Sequence, residues 1–495
     1  MRSLRLVACL AIPAQIALGQ QQKQQTFPTP VGTGAGISLE EAITTARENN
    51  PLLQQIRNNV RSADAQVRST YGQLLPGVNA NFQTGYQQGG TQYYNGVALG
   101  NSGDTYNSSY RLGVNYSLSA AALFAPRAAK ANRSAAEANV TSNSENLRAN
   151  VTTQYIQALE QQATAAANDT LVQTAQGDLD LANAKLKVGS GTILDVRNAE
   201  VALGQAEVNA VKAHNQAMVE KVKLFQLMGV PPDTSAVLTT NFTVTAAPAS
   251  LDSLIALARQ VNPDLAAKKS TQHASEMQVH EAQSQYLPTL NLSTGIGGNA
   301  AGFANINQVI ESRQAQAATI GYSNCMLDDS LRVGAGLAPQ GCSTTLSQAS
   351  IDNIRSSNRP FSFQSAPFSL YASISLPIFN GFNREQQIEQ AQVARDNAVY
   401  DVKSRQLQLV ADVTTAYMNL LTARKTVDLQ ETTTRQATEA LALAEESYKV
   451  GAKTFLDVTT ARGTYQKALV DRINAIYEYH KAFAALESAV GRPLR

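Results

Sequence analysis

The stretch Tyr110-Arg111-Leu112-Gly113-Val114-Asn115-Tyr116-Ser117-Leu118 alternates without a break. Tyr110, Leu112, Val114, Tyr116 and Leu118 fall on one side of an extended chain, and Arg111, Gly113, Asn115 and Ser117 on the other. The pattern returns where Phe368, Leu370, Ala372, Ile374 and Leu376 alternate with Ser369, Tyr371, Ser373 and Ser375. It returns again in Val78, Ala80, Phe82 and Thr84 against Asn79, Asn81 and Gln83, and in Leu290, Leu292, Thr294 and Ile296 against Asn291, Ser293 and Gly295. One face of each strand is apolar and the other carries small polar residues, the pattern of a membrane barrel with lipid outside and water inside. A soluble sandwich edge alternates too, but its polar face favours Lys and Glu over Asn, Ser and Gly, and no other sheet is legible for these strands to pack on. Four strands cannot close on themselves, since barrels begin at about eight. Copies must associate, giving eight strands from two chains or twelve from three.

The composition fits that reading. Charged residues are 16% of the 495 and Trp is absent, against about 25% charged in ordinary soluble proteins. The mean hydropathy of -0.20, with no long apolar run after the N-terminus, excludes a bundle of spanning helices. The net charge of +2 without a basic block gives nucleic acid nothing to bind. Arg2 and Arg5 precede an apolar run from Leu6 to Leu18, and Ala17-Leu18-Gly19 has the form of a cleavage site, so 1–19 is read as a secretory signal peptide. Cys9 lies inside it; the apolar run before Cys9 is too short for a lipoprotein box. Cys325 and Cys342 remain, and in an oxidising compartment they are expected to form a disulfide rather than stay as two free thiols.

The chain is internally duplicated. Ser38-Leu39-Glu40-Glu41 with Asn50-Pro51 recurs as Ser250-Leu251-Asp252-Ser253 with Asn262-Pro263, and Leu75-Pro76 as Leu287-Pro288. Val188-Gly189 with Asp195-Val196 returns as Val450-Gly451 with Asp457-Val458. Each copy starts with a short helix stopped at Asn-Pro, because proline pushes the preceding residue out of helical angles. The plan is a flexible segment at 20–36, a first repeat at 37–234, a linker at 235–249 and a second repeat at 250–495. The first repeat holds helices at 39–74, strands at 78–86 and 108–118 and a helical hairpin at 127–228; the second holds helices at 251–286, strands at 289–297 and 368–376, an insertion at 298–367 and a hairpin at 385–490. Residues 51–74 and 192–228 together equal 127–187 in length, which predicts two helices end to end beside one long helix of roughly 90 Å at about 1.5 Å per residue. Ala398, Val402, Leu409, Val413, Ala416 and Leu420 form a small-residue seam for close helix packing. The loops at 87–107 and 298–367 leave the strand ends away from the helices and are expected on the outer side.

Catalytic chemistry is hard to find. His273, Glu276 and His280 share one helical face and could in principle hold a metal, but no further ligand is near in sequence and a solvated face is the reading adopted. No nucleophile elbow, phosphate loop or Cys-x-x-Cys is present. No enzyme and no cofactor are expected.

The two turn motifs, Lys187-Val188-Gly189-Ser190-Gly191-Thr192-Ile193-Leu194-Asp195-Val196 and Ser447-Tyr448-Lys449-Val450-Gly451-Ala452-Lys453-Thr454-Phe455-Leu456-Asp457-Val458, resemble those of the TolC family of outer-membrane efflux proteins, as do the duplicated Asn-Pro and Leu-Pro marks and Leu376-Pro377-Ile378-Phe379-Asn380-Gly381. The likeness covers 37–494. It implies a mainly α chain with a transmembrane β-barrel contribution, built from two tandem repeats and assembled as a homotrimer with one twelve-stranded barrel and a coiled-coil periplasmic tunnel. It implies an exit duct in the outer membrane of a Gram-negative-type bacterium, in contact with outer-membrane lipid, serving efflux or type I secretion. The implied partners are a periplasmic adaptor (membrane fusion) protein and an inner-membrane pump of RND, ABC or MFS type. The tip turns, Val188, Gly189, Ser190, Gly191, Val450, Gly451 and Ala452, would meet the adaptor. By position Asp195, Tyr448 and Lys453 match the family's closing links, with Lys replacing an Arg and so losing its bidentate fork. Asp457 matches one acidic constriction ring, while Thr460 stands where a second Asp would be. Three Asp457 carboxylates about a narrow axis would concentrate cations. Asp195 and Asp457 also stand where a carboxylate caps a helix. The rival reading is a non-conducting coiled-coil protein bridging periplasm and outer membrane; a periplasmic adaptor would need a lipoyl-like β-domain that the chain lacks.

Overall fold

The computed structural model describes residues 36–101, 103–233, 235–245, 250–359 and 361–494. The expected signal peptide at 1–19, all of 20–36 but its last residue, and 246–249 of the expected linker lie outside the described residues. In chain order the first half comprises β1 (Gly36–Ile37), α1 (Leu39–Asn49), α2 (Pro51–Gly72), β2 (Gly77–Gln87), β3 (Thr91–Tyr94), β4 (Val97–Asn101), β5 (Thr105–Leu118), α3 (Ala120–Lys187) and α4 (Ile193–Met228). The second half comprises β6 (Val237–Leu238), α5 (Leu251–Val261), α6 (Pro263–Gln283), β7 (Thr289–Phe303), α7 (Ile306–Gln316), α8 (Tyr322–Gly334), α9 (Gln348–Ser357), β8 (Gln364–Ser365), β9 (Ser369–Ser375), α10 (Asn383–Lys449) and α11 (Phe455–Val490). The chain divides into two compact units. One contains the chain up to Ser62, Ser134–Thr271 and Ala398–Arg495, and the other Ala63–Arg133 and Gln272–Asn397.

The helical unit is locked by a duplicated device. Asn50 follows α1 in an extended conformation, as its proline neighbour dictates. Its side chain accepts from Leu53 N at 3.1 Å, starting α2, and donates to Leu227 O at 2.9 Å, holding the end of α4. Asn262 repeats this, accepting from Leu265 N at 3.0 Å and Asp264 N at 3.1 Å while donating to Ala489 O at 3.0 Å at the end of α11. Each held helix ends in a left-handed glycine, Gly229 at φ 73° and Gly491 at φ 95°. A Cβ at Gly229 would stand 2.5 Å from Asn49 O, and one at Gly491 2.6 Å from Pro263 Cδ. Shape and backbone angle thus both require glycine.

Two apolar clusters flank these locks. Tyr155, Leu224, Phe225 and Met228 pack with Ile37, Ala42 and Leu53, and the buried Tyr155 hydroxyl donates to Ile37 O at 2.7 Å. Leu254, Ala258, Leu409, Leu420, Tyr479 and Phe483 form the other, where Tyr479 donates to Thr245 O at 2.7 Å.

The second unit is built on an antiparallel sheet in the order β2-β5-β7, with β8 and β9 pairing successive parts of β7. The register places Val78 opposite Val114, Leu112 opposite Ile296, and Leu292 opposite Ala372, so the apolar residues of all four rows share one face. That face is open: Val78, Phe82, Ile296, Leu370 and Ile374 are all more than half exposed. On the other face polar side chains pair across strands, Asn115 donating to Asn79 at 2.9 Å and Ser117 to Asn291 at 2.8 Å.

Several elements differ in extent from the expectation. The long helix of the first repeat begins at Ala120, not at 127, and carries Pro126 inside it. The proline removes one helical hydrogen bond, but Ser119 caps the helix at Ala122 N and buried Ala125, Ala128, Ala129 and Ala131 anchor the chain around it. Tertiary packing overrides the local preference. Strand β5 begins at Thr105 rather than 108, and β7 runs on to Phe303 rather than stopping at 297. The expected insertion is therefore partly strand, and it contains α7, α8 and α9. Cys325 on α8 and Cys342 are joined in a disulfide, their Cα atoms 5.7 Å apart. Asp329 accepts from Gln340 N at 2.6 Å and Gly341 N at 3.0 Å, securing the same loop.

Replacing Asn262 with Ala removes three hydrogen bonds at a residue 4% exposed. It should lower unfolding stability by about 1–3 kcal/mol, read as a fall in the thermal midpoint; an unchanged midpoint would refute the lock.

Candidate functional site

The repeated turn motifs form the end of the helical unit, and their backbones are near copies. Lys185 O accepts from Ser190 N and Gly191 N at 2.9 and 3.1 Å; Ser447 O accepts from Ala452 N and Lys453 N at 2.8 and 3.3 Å. Gly189 and Gly451 share a φ of 77°, in the left-handed region glycine favours. Val188 and Val450, beside them, are 77% and 79% exposed.

Each returning helix then opens with a capping box. Thr192 Oγ1 accepts from Asp195 N, and Asp195 Oδ2 accepts from Thr192 N at 3.0 Å and Thr192 Oγ1 at 2.8 Å. Thr454 and Asp457 repeat the arrangement, at 2.9 and 2.8 Å. A carboxylate in the first turn answers both the free N–H groups and the positive helix end. The hydrogen bonds from Thr454, helped by the nearby Lys453 charge, hold the Asp457 carboxyl below its ordinary value. Both aspartates of the expected site are therefore capping residues here.

Tyr448 is 7% exposed, in a cluster with Ala182, Val196, Leu441, Phe455 and Val458. Its ring meets Phe455 edge-on, with centroids 5.7 Å apart. Lys185, from the last turns of α3, donates to the Tyr448 carbonyl and places its ammonium 3.6 Å from the ring centroid. The Tyr448 hydroxyl is buried without a hydrogen-bond partner, and burial, then the Asp195 charge, push its pKa up. Asp195 and Tyr448 thus interact through space without a hydrogen bond between them, while Lys453 is exposed. Thr460 is also exposed, its hydroxyl donating to Leu456 O at 2.9 Å.

Sequence reasoning missed a charge cluster near the tip. Arg462 of α11, 5% exposed, pairs with Asp178 of α3 and with Glu445 of α10, the latter at 3.0 Å. Burial pushes the Glu445 carboxyl up. The available signal was a charge in a buried seam: buried Arg462 follows buried Phe455 and Val458 at helical spacing, and Asp178 lies between the buried Ala175 and Ala182.

Elsewhere, His273 Nδ1 lies 3.6 Å from Glu276 on an exposed surface, and His280 is exposed. Among the described residues, the one group with the spacing of a metal site is Cys325, Asp329 and Cys342, whose sulfurs are bonded to each other.

The family profile described as outer membrane efflux protein matches residues 42–230 and 343–492. The outer membrane protein TolC of Escherichia coli K12 is 24% identical over 314 residues, 63% of this chain and 55% of that protein. The chain thus spans little more than half of that relative's length. TolC of Vibrio cholerae is 22% identical over 466 residues, 92% of this chain and 90% of that protein. The crystal structure of the outer membrane protein VceC from Vibrio cholerae superposes with a TM-score of 0.67 at 18% identity, covering 92% of this chain and 97% of that one.

Arg462→Ala would leave Asp178 and the partly buried Glu445 without their shared cation. The expected cost is about 3–5 kcal/mol, measured by thermal or urea unfolding, and a loss within error of zero would remove Arg462 from the account of tip stability.

Proposed function

The chain belongs to the outer membrane efflux protein family, and on that premise we propose that it is the outer-membrane exit duct of a tripartite efflux or type I secretion system. Three copies close one twelve-stranded barrel, and their helices form a tunnel into the periplasm. Substrates delivered by an inner-membrane pump of RND, ABC or MFS type enter at the tip and leave through the barrel, with no chemistry done on them. A periplasmic adaptor meets the turns around Ser190 and Ala452.

The observation that carries this reading is the two-faced sheet. Its apolar side is exposed across all four rows, which suits lipid. Its polar side is a ladder of Asn and Ser pairs, which suits a wet lumen. A solid, non-conducting rod would place apolar residues on that inner side.

The sites follow from the same reading. Asp457, held ionised by Thr454, supplies the cation-attracting ring at the constriction. Asp195, Tyr448 and Lys453 belong to the gate, with Tyr448 acting as a buried wedge rather than through its hydroxyl. Residues 1–19 are the export signal, 37–234 and 250–495 the two repeats, and 298–367 carries the outward insertion.

Purified protein in planar bilayers should give single-channel currents; absence of any current from correctly assembled protein would favour the rod. Asp195→Ala, Lys453→Ala and Tyr448→Ala should each raise conductance, whereas Tyr448→Phe, which removes only an unpartnered hydroxyl, should leave it near the parent value. Asp457→Asn should weaken cation preference, and a reversal potential that does not move would sink the ring.

A further inference from the structure

The two repeats differ in charge where their strands give way to helices. In the second repeat this junction satisfies itself. Arg384, 5% exposed, donates to Ile378 O at 3.1 Å and lays its guanidinium 4.6 Å from the Tyr286 ring centroid. The Tyr286 hydroxyl in turn donates to Glu385 at 3.1 Å. Cation, ring and acid close on one another. The first repeat leaves its cations open. The Arg127 guanidinium stands 5.5 Å from the Phe124 ring centroid, and the Lys130 ammonium 5.2 Å from that of Tyr71. Both side chains are exposed, as is Arg68, one turn before Tyr71 on α2. None of the three has an ion pair among the described residues, and the salt bridge nearby, Arg133 with Asp64, uses other groups.

The shared fold does not require these cations. Counted from Leu118 and Leu376, Arg127 corresponds to Glu385 and Lys130 to Ile388. Counted from Leu75-Pro76 and Leu287-Pro288, Arg68 corresponds to His280. The second repeat forms the corresponding junction without them. Their surroundings in the first repeat are apolar: Leu75 and Leu123 are more than half exposed. The apolar face of the sheet begins at Val78, shortly after Leu75, and ends at Leu118, shortly before Leu123. Arg127 lies seven residues after Ala120, about 10 Å along α3. Side chains on a helix lean towards its N-terminus, which for α3 is towards the sheet. Headgroups extend roughly 5–8 Å beyond each edge of the hydrocarbon, within reach of a long cationic side chain whose stem lies along apolar surface. The Phe124 and Tyr71 rings suit such a boundary, and they also hold the two cations in place, so less rotamer freedom is lost on binding.

We propose that Arg127, Lys130 and Arg68 form a binding site for the phosphate of an anionic phospholipid, one site per copy, at the strand–helix junction of the first repeat. The phosphodiester accepts charge-assisted hydrogen bonds from the guanidinium and ammonium groups. The acyl chains run past Leu75 and Leu123 onto the apolar face of the sheet. A zwitterionic headgroup would bring its own cation into a cluster of cations, so the site favours an acidic lipid. The inference rests on the reading of the sheet as lipid-facing and names the lipid at one of its borders.

Assembled protein purified in detergent and titrated with phosphatidylglycerol should retain one lipid per copy in native mass spectra. Phosphatidylcholine with the same acyl chains should be retained roughly fivefold less. Arg127→Glu with Lys130→Ile, which installs the residues of the second repeat, should abolish the preference and leave the assembly intact. Equal retention of the two lipids by the parent protein, a measurement that needs no variant, overturns the proposal. A preference that survives the double substitution overturns it too. Inorganic phosphate in large excess should not displace the lipid; displacement would make this a site for the free anion and refute the lipid assignment. Bilayer currents measured on the same samples separate this site from the duct: currents with equal lipid retention refute the site alone, and a lipid preference without currents refutes the duct alone.

Discussion

Everything in this chain answers to the unpaired edge. A strand at the border of a sheet carries a row of free N–H and C=O groups, and in hydrocarbon no water satisfies them. Four rows, bounded by β2 and β9, cannot curl far enough to pair their own borders. The duplication that gives four rows in place of two still leaves β2 and β9 each with a single neighbouring strand among the described residues. The helical unit meets a parallel difficulty in apolar form, with Val201 on α4 73% exposed and Leu443 on α10 69% exposed.

The tip is built from caps and one buried charge. Asp195 and Asp457 occupy first-turn positions where the backbone itself demands a carboxylate. Asp457 is exposed and Asp195 partly so. Beneath them a buried cation, Arg462, binds acids from two other helices. Such a pair is costly to desolvate and gains little net stability, but removing one partner is severe. It therefore specifies which helices lie side by side more than it adds to the folding free energy.

Much of this was legible in the sequence because the signals are periodic and doubled. The alternation of Tyr110 to Leu118 dictated a strand, and Asn50-Pro51 returning as Asn262-Pro263 marked the same joint twice. The turn motifs carried the family. What escaped was whatever depends on one-off packing. Pro126 reads as a breaker, and only the buried alanines around it keep the helix whole. The three helices between β7 and β8 occur in one repeat alone, so no second copy pointed to them. Tyr448 looked like a hydrogen-bonding group by analogy of position, yet its hydroxyl finds no partner and its ring is packed beneath Lys185. Contacts between distant segments, such as Arg462 with Asp178, leave only the faint trace of a charge within an apolar repeat.

The insertion after β7 is attached with unusual economy. Asn358 closes its base, accepting from Phe303 N at 2.6 Å and donating to Phe303 O at 2.8 Å, while Ala304 N donates to Asp104 O at 2.8 Å. The disulfide and Asp329 brace its far loop internally, independent of the strands. A segment clasped at its two ends and stiffened from within behaves as a cassette. Foreign sequence spliced between Ala304 and Ser357 would enter beyond the last residue of β7, into a segment with bracing of its own, and leave the pairing of the strands to stand.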